Sequence, residues 1–299
     1  MPPFPVTGVI RPNFLILTPI CLSLGLASVM LSGTEIAWHV FAICLLGALM
    51  AHISVNALNE YADFHSGLDF KTEKTPFSGG SGTLIMQPRL AVQALMIGIT
   101  SLGITIACGL FLIQRVGWGL VPIGLLGVLI IIFYTGWINR NRYLVLIAPG
   151  LSFGPLMVIG TNYALTGSYS KVAFLLSLIP FFLVNNLLFL NQIPDIEADR
   201  SVGRDNFAIA WEHHHSAHLF FSFALMGYLT IITGVVFSYL PIASMFGLLT
   251  LPLTYLIYRG VENYRGELQQ LTPYLAKNVM VTLLTPLLLF LGILIHTQW

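Results

Sequence analysis

Nine apolar runs, each close to the length that crosses a lipid bilayer, dominate this sequence of 299 residues. A helix needs about 20 mostly apolar residues to span the hydrocarbon core of a membrane. The runs lie near residues 14–32, 36–58, 90–113, 117–138, 144–166, 172–192, 216–238, 241–258 and 277–297. They predict an all-α, polytopic membrane protein with about nine transmembrane helices, embedded in the lipid bilayer.

The composition agrees with a membrane protein. Charged residues make up 8% of the chain, against about 25% in soluble domains. The net charge of +1 argues against a nucleic-acid partner, and no obligatory protein partner is evident. Because the sequence has no Pro- and Ser-rich linker and no low-complexity tract, we expect one domain over residues 1–299.

Lysine and arginine are distributed unevenly between the two ends of the predicted helices. Eleven would lie on the side of the N-terminus, and only Arg115 and Lys171 on the other side. Basic residues concentrate in cytoplasmic loops. We therefore predict an inner (plasma) membrane protein whose N-terminus and long polar stretches, 59–89 and 193–215, face the cytoplasm.

Two polar motifs of the same form follow two of the apolar runs. Asn59 and Asp63 are four residues apart after the second run, and Asn191, Asp195 and Asp199 repeat the spacing after the sixth. On a helix, residues four apart share a face, where like charges repel. Mg²⁺ would relieve this repulsion, since it binds one or two carboxylates together with substrate phosphates. The repetition predicts two acidic sites that face each other across one cavity, with solvated loop acids as the simpler alternative.

Both motifs resemble those of the UbiA superfamily of membrane prenyltransferases. Asn-Glu-Tyr-Ala-Asp-Phe-His-Ser-Gly-Leu-Asp at 59–69 and Phe-Gly-Pro-Leu-Met-Val-Ile-Gly at 153–160 resemble the branch that prenylates dihydroxynaphthoate in menaquinone synthesis. The resemblance implies a UbiA-like helical bundle around a central cavity. It also implies Mg²⁺-dependent transfer of a polyprenyl group from a polyprenyl diphosphate to an aromatic acceptor, first of all 1,4-dihydroxy-2-naphthoate.

The resemblance further assigns roles to individual residues. The expected metal ligands are Asp63, Asp69, Asp195 and Asp199, of which Asp63, Asp195 and Asp199 are also expected to be catalytic, while Asn59 and Asn191 would bind the diphosphate. Glu60 stands where the family more often has Asp, and its role stays open. When pyrophosphate leaves, the prenyl group becomes a carbocation. Tyr134 would place an aromatic ring near this cation, although Tyr is also common at membrane interfaces.

Several basic residues are candidates for substrate binding. Lys71, Lys74 and Arg204 could hold the pyrophosphate, or they could simply anchor the cytoplasmic face. The loop after the fourth run departs from the family pattern, but Arg140 and Arg142 could pair with a carboxylate on the acceptor, because guanidinium groups match its geometry.

Two further features have a structural and a functional explanation. The glycine-rich stretch Phe77-Ser-Gly-Gly-Ser-Gly82 could cradle phosphate with its backbone amides, but a flexible loop over the cavity is the favoured interpretation. The histidines His213, His214, His215 and His218 indicate an interfacial polar cluster more than a zinc site, because no cysteine is near.

Three other functions compete with the prenyltransferase. A related enzyme could use another acceptor, such as 4-hydroxybenzoate or a lipid. An ion-coupled transporter would place functional ionisable groups near the membrane midplane, whereas here charges of both signs crowd one face. A membrane phosphotransferase for alcohols would need a compact motif with Asp-Gly and Ala-Arg pairs, which the sequence lacks.

Overall fold

Helices make up the regular secondary structure in the computed structural model, which describes residues 6–75, 77–211 and 215–298. They are α1 (Leu17–Leu31), α2 (Trp38–Ser66), α3 (Thr83–Met86), α4 (Ala91–Val116), α5 (Val121–Phe133), α6 (Arg142–Leu151), α7 (Met157–Thr166), α8 (Lys171–Asn191), α9 (Ile196–Ser201), α10 (Phe207–Trp211), α11 (Ser216–Val236), α12 (Leu251–Glu262) and α13 (Leu268–Gln298). A π-helical turn, Ser152–Leu156, joins α6 to α7. No strand occurs in these ranges, so the predicted all-α class is confirmed.

Seven helical segments of the described chain are long and apolar enough to cross a membrane. The predicted count of nine transmembrane helices is therefore not confirmed. Thr7–Phe14 and Leu17–Leu31 meet the criterion only as a pair, and they are bent by 48°. Leu15 and Ile16 separate the two segments, and within the first segment Arg11 adopts a left-handed φ of 51° before Pro12. Trp118–Phe133 is apolar but shorter than a full span.

The largest hydrophobic core lies among α1, α8, α11, α12 and α13. Its buried side chains include Leu24, Leu183, Phe220, Ile257 and Leu289. Buried hydroxyls join the same helices, because Tyr228 Oη shares hydrogen bonds with Thr250 (2.9 Å) and Thr254 (2.6 Å). Within a membrane, helices associate through close packing and inter-helix hydrogen bonds worth about 0.6 kcal/mol each.

Helices α2 and α4 pack closely through small residues. The Ser54 hydroxyl donates to the Gly98 carbonyl oxygen at 2.8 Å, and a Cβ on Gly98 would lie 2.6 Å from Leu58 Cδ2. Few side chains of α4 are otherwise buried, and α5 buries only Ile130 and Ile131. Helices α4 and α5 thus form a thin part of the bundle.

The ends of α2 and α8 position the two acidic motifs. Helix α2 stops where Gly67 takes a left-handed φ of 77°, a conformation that glycine adopts without steric cost. Helix α8 stops at Asn191. The π-helical turn packs tightly against α8, because a Cβ on Gly154 would lie 2.4 Å from the Ser177 carbonyl oxygen.

Candidate active site

A cavity of about 1130 Å³ runs through the bundle and has one polar end. Apolar side chains from α2, α4, α5, α7 and α8 form most of its wall. The polar end contains the side chains Asn59, Asp63, Asp69, Asn191, Asp195, Asp199 and Arg204. The two motifs therefore do face one cavity, as their spacing predicts.

The first motif lies on the last turns of α2. Asn59 donates from Nδ2 to Asp63 Oδ2 at 2.7 Å, and its own Oδ1 accepts a hydrogen bond from Thr135 at 3.1 Å. Helical spacing places both side chains on the cavity face. Asp69 follows after the turn at Gly67 and is 5% exposed.

The second motif is not one continuous helix. Helix α8 ends at Asn191, and a turn leads to Asp195, which is the N-cap residue of the short helix α9. The prediction that helical spacing aligns all three side chains is therefore wrong in its detail. The Asp199 amide donates to the Asp195 carbonyl oxygen at 2.8 Å, so α9 keeps these two residues on one side, and all three residues line the cavity.

Arg204 connects the two motifs. Its Nη1 donates to Asp199 Oδ1 at 3.0 Å, and its Nη2 donates to Asp63 Oδ1. The other Asp199 oxygen accepts a hydrogen bond from Asn206 Nδ2 at 3.1 Å. Burial works to lower the pKa of Arg204, but the charges of Asp63 and Asp199 outweigh it and raise that pKa. Arg204 thus carries a permanent positive charge between two buried carboxylates.

Other oxygen atoms at this end of the cavity are buried without a hydrogen-bond partner. They are Asp69 Oδ2, Asn191 Oδ1 and Asp195 Oδ1. Burial first, and then the charges of Glu60 and Asp63, raise the pKa of Asp69 to about 7. Burial and the charge of Asp199 likewise raise the pKa of Asp195 to about 7. A nearby cation would stabilise the ionised form of these buried carboxylates.

These oxygens fit Mg²⁺ by their chemistry, since it prefers oxygen ligands and few carboxylates. In the ranges that the structure covers, no three acidic or histidine side chains already converge as a metal-binding group. The reason is local: Arg204 occupies the space between Asp63 and Asp199. A cation would need part of this arrangement to open.

Glu60 joins three segments beside the acids, a role that the sequence left open. Its side chain is fully buried and accepts hydrogen bonds from Arg11 Nη2 at 2.6 Å and Arg11 Nε at 2.9 Å. It also accepts hydrogen bonds from the amide and the hydroxyl of Ser81, both at 2.7 Å. The extra methylene of Glu is the only sequence signal for this contact.

The glycine-rich stretch is fixed by these contacts and lies against the acids. Gly79 and Gly80 have left-handed φ values of 78° and 69°. A Cβ on Gly80 would lie 3.0 Å from Asp69 Oδ1 and 3.3 Å from Glu60 Oε1. The Gly79 backbone and the Ser78 side chain lie close enough to Asp195 to work against the rise of its pKa. In this structure the stretch is a packed wall of the cavity and not a free loop.

The remaining predicted residues differ in whether they line the cavity. Tyr134 lines the cavity. Lys71, Lys74, Arg140 and Arg142 are not among the lining residues. Lys71 hydrogen-bonds to Ser201 Oγ at 3.2 Å, Lys74 to the Ser81 carbonyl oxygen, and Arg142 pairs with Asp205 at 2.9 Å. Two guanidinium groups do line the cavity, those of Arg11 and Arg204.

The histidine cluster is only partly within the structure. His213 and His214 lie outside the described residues. The ring of His215 lies 5.8 Å from that of Trp211, whereas His218 lies 6.1 Å from Tyr258. These two histidines therefore contact different aromatic neighbours.

The profile of the UbiA prenyltransferase family matches residues 19–278. The chain belongs to this family. Membership confirms the predicted resemblance, and with it the prediction of a membrane prenyltransferase.

Individual relatives agree with this placement. The chain is 28% identical over 198 residues to a 1,4-dihydroxy-2-naphthoate octaprenyltransferase from Bacillus subtilis, and the match spans 66% of this chain and 62% of that protein. It is 26% identical to an enzyme of the same name from Haemophilus influenzae, over 93% of this chain and 94% of that protein. A UbiA homologue from Archaeoglobus fulgidus, solved with GPP and Mg²⁺, superposes with a TM-score of 0.68 at 15% identity, over 97% of this chain and 99% of the other. The predicted UbiA-like fold is thereby confirmed.

Proposed function

We propose that this protein transfers a polyprenyl group from an allylic diphosphate to an aromatic acceptor, with Mg²⁺ as cofactor. The observation that carries the proposal is the meeting of two acidic motifs at one end of a long apolar cavity. Unpartnered oxygens of Asp69, Asn191 and Asp195 at that end suit a cation that also binds a diphosphate. The Archaeoglobus fulgidus homologue, which was solved with a prenyl diphosphate and Mg²⁺, supports the same assignment.

The residues of the polar end would divide the work of binding. Asp63, Asp69, Asp195 and Asp199 would hold the metal, and Asn59 and Asn191 would complete the oxygen set. When bound, Mg²⁺ offsets the charge that develops on the departing pyrophosphate. Arg204 can turn its guanidinium from the carboxylates to the phosphate oxygens, which it matches in geometry.

The apolar part of the cavity suits the carbon skeleton of the donor. In the reaction the C1–O bond of the prenyl group breaks, the electron pair leaves with pyrophosphate, and a ring carbon of the acceptor bonds to C1. Water would compete for this electrophile, and an apolar wall excludes it. Tyr134 lines the cavity and presents a ring that can stabilise positive charge. Ligand sites usually enclose about 300–1,000 Å³, so a cavity of about 1130 Å³ can take two substrates together.

We propose 1,4-dihydroxy-2-naphthoate as the first acceptor and 4-hydroxybenzoate as the second. The names of the Bacillus subtilis and Haemophilus influenzae relatives support this order. With the dihydroxynaphthoate, the ring carboxylate would be lost as CO2, and the electron pair of its bond to the ring would restore the aromatic ring, whereas 4-hydroxybenzoate would lose a ring proton instead. Arg140 and Arg142 lie away from the cavity wall, so Arg11 and Arg204 are better placed to meet a carboxylate inside it.

We further propose that the polar end faces the cytoplasm of an inner membrane. The support is the excess of eleven basic residues over two on the side of the N-terminus. This orientation would give a soluble aromatic acid and Mg²⁺ access from the cytoplasm.

The decisive experiment is an assay with purified protein and a labelled polyprenyl diphosphate. Each candidate acid would be supplied in turn, with Mg²⁺ or with EDTA, and the Asp195→Asn variant would serve as the inactive control. We expect a prenylated naphthalene product only with the dihydroxynaphthoate, the wild-type chain and Mg²⁺. Product from 4-hydroxybenzoate alone would change the acceptor, and an absence of any prenylated aromatic would reject the proposal.

A further inference from the structure

His52 is a polar side chain in the apolar wall of the cavity. It lies in the middle of α2, eleven residues before Asp63, which corresponds to about 16 Å along the helix axis. His52, Asn56, Asn59 and Asp63 are spaced by four, three and four residues, so they lie along one face of α2, and all four line the cavity. Polar side chains on this face of α2 thus extend from the polar end of the cavity to the imidazole of His52.

Two neighbours from other segments fix the imidazole ring. Its Nδ1 shares a hydrogen bond of 2.9 Å with the hydroxyl of Thr18 on α1. The ring of Phe153 contacts it edge-on, with centroids 4.9 Å apart and planes at 78°. Within the described chain, Nε2 forms no hydrogen bond. His52 is 7% exposed and lines the cavity, so its remaining hydrogen-bonding capacity is directed there.

Two hydroxyl groups in the same wall, those of Thr161 and Ser152, are already satisfied by the backbone. Thr161 donates to the Met157 carbonyl oxygen at 2.7 Å, and Ser152 donates to the Ala148 carbonyl oxygen at 2.9 Å. Such bonds from a residue to the preceding turn are common for Ser and Thr in helices. His52 differs because it keeps a free nitrogen at a depth where an unpaired polar group is unfavourable.

The segment that carries Phe153 is itself unusual. Phe153 lies in the π-helical turn Ser152–Leu156, and π turns inside α-helices occur frequently at functional sites. Tight packing of Gly154 on α8 holds this turn in place. The diphosphate chemistry at the polar end does not use this segment, although its sequence resembles the dihydroxynaphthoate branch.

We propose that His52 is a specificity-determining residue that hydrogen-bonds a ring hydroxyl of the aromatic acceptor. This inference rests on the proposed function. The acceptor ring must approach C1 of the donor beside the polar end, and the distance of about 16 Å leaves space for it between the acids and the imidazole. A phenolic hydroxyl both donates and accepts, so it matches either tautomer of His52. Thr18 and Phe153 act as positioning residues for the ring.

Substitutions at His52 test the contact, and steady-state kinetics separate its effect on the two substrates. His52→Phe fills the space without a hydrogen-bonding group, His52→Gln keeps one, and Thr18→Val releases the ring. Thr161→Val is the matched control, because it removes a buried hydroxyl from the same cavity. Losing one hydrogen bond costs about tenfold in affinity. We expect His52→Phe to raise the KM for the acceptor about tenfold without changing the KM for the diphosphate, with partial rescue in His52→Gln.

A binding experiment without turnover gives an independent readout. The probes are 1,4-dihydroxy-2-naphthoate and its two monohydroxy analogues, measured against detergent-solubilised wild type and His52→Phe. Wild type should bind the analogue that lacks the contacted hydroxyl about tenfold more weakly than the parent. His52→Phe should bind the two analogues with equal affinity.

Three results would overturn the inference while leaving the proposed function intact, provided that the wild type still prenylates the acceptor. The first is an unchanged acceptor KM in His52→Phe. The second is a shift in prenyl chain-length preference instead, which would make His52 part of the tail wall. The third is an equal loss in Thr161→Val, which would indicate a general packing effect.

Discussion

The guanidinium group of Arg204 donates a hydrogen bond to the carboxylate of Asp63, which precedes it by 141 residues in the chain. The same guanidinium binds Asp199, so one side chain joins the first motif to the second. Buried carboxylates need a partner, and in this structure Arg204 provides it. The proposed cation would compete with Arg204 for these carboxylate oxygens, and the diphosphate would compete with the carboxylates for Arg204.

Removing Arg204 should destabilise the protein more than breaking a surface ion pair does. Arg204→Ala leaves Asp63 and Asp199 without their cation, and breaking a buried pair costs about 3–5 kcal/mol. Thermal unfolding in detergent measures the effect, and Mg²⁺ should restore part of the loss by binding the freed carboxylates.

The control for this experiment is Arg142→Ala, which breaks a pair with Asp205 whose side chains are 40% and 35% exposed. Such pairs contribute about 0–1 kcal/mol. Equal losses in Arg204→Ala and Arg142→Ala, or no response of Arg204→Ala to Mg²⁺, would contradict the bridging role.

Asp63→Asn and Asp195→Asn should abolish turnover while the protein still inserts into the membrane. Each change removes one charge from the proposed metal site and keeps the size of the side chain. The measurement is formation of labelled product together with the amount of folded protein in membranes. Asp205→Asn is a suitable control because Asp205 does not line the cavity. Near-normal activity of either motif variant at limiting Mg²⁺ would refute the assignment.

Glu60→Gln should loosen the glycine-rich stretch. The change weakens charge-assisted hydrogen bonds to Arg11 and Ser81, which are each worth about 1.5–3 kcal/mol. Hydrogen exchange of the backbone amides over residues 77–82 should accelerate, and activity should fall. Glu73→Gln, in an exposed position of the same polar stretch, should change neither quantity. Unaltered exchange in Glu60→Gln would show that other contacts hold the stretch.

Gly80→Ala should disturb the acids directly. Its Cβ would lie 3.0 Å from Asp69 Oδ1, so the carboxylate or the loop must move. Gly82→Ala is matched in backbone strain, with φ of 71° against 69°, but its Cβ meets the flexible end of Lys74. We expect both variants to lose stability and Gly80→Ala alone to need more Mg²⁺ for half-maximal activity. The same Mg²⁺ requirement in both variants would show that backbone strain, and not the contact with Asp69, causes the effect.

Cysteine labelling tests the orientation. In a cysteine-free background, Glu73→Cys should resist an impermeant thiol reagent in intact cells, and Ser168→Cys should react. Both positions are exposed, and Ser168 lies beside the start of α8, whose 21 residues separate it from the acids by about 30 Å. The reverse labelling pattern would place the polar end outside the cell.

The sequence predicts the helices and the meeting of the motifs because both depend on local spacing. Apolar runs predict helices in lipid, and Asn59 and Asp63 share a face because of helical periodicity. It does not predict that α8 ends before Asp195, since a turn between two helical stretches leaves the spacing of four unchanged.

The sequence also does not predict contacts between segments that are distant in the chain. The pairing of Arg204 with Asp63, the contact of Glu60 with Ser81 and the position of Arg142 beside Asp205 all depend on tertiary structure. A basic residue near a diphosphate site and one that anchors a membrane face look alike in sequence. The bend before α1 and the short α5 explain why counting apolar runs gave nine spans.

The division of the bundle into a dense and a thin part has an evolutionary consequence. The largest core, among α1, α8 and α11–α13, contains none of α4 or α5, yet those two helices form much of the cavity wall. Substitutions on α5, and on α4 away from its contact with α2, can therefore reshape the space for the substrates while few buried contacts are lost. Lineages that descend from such a chain could acquire new tails or acceptors with little risk to folding, and selection for a new product would act first on these two helices.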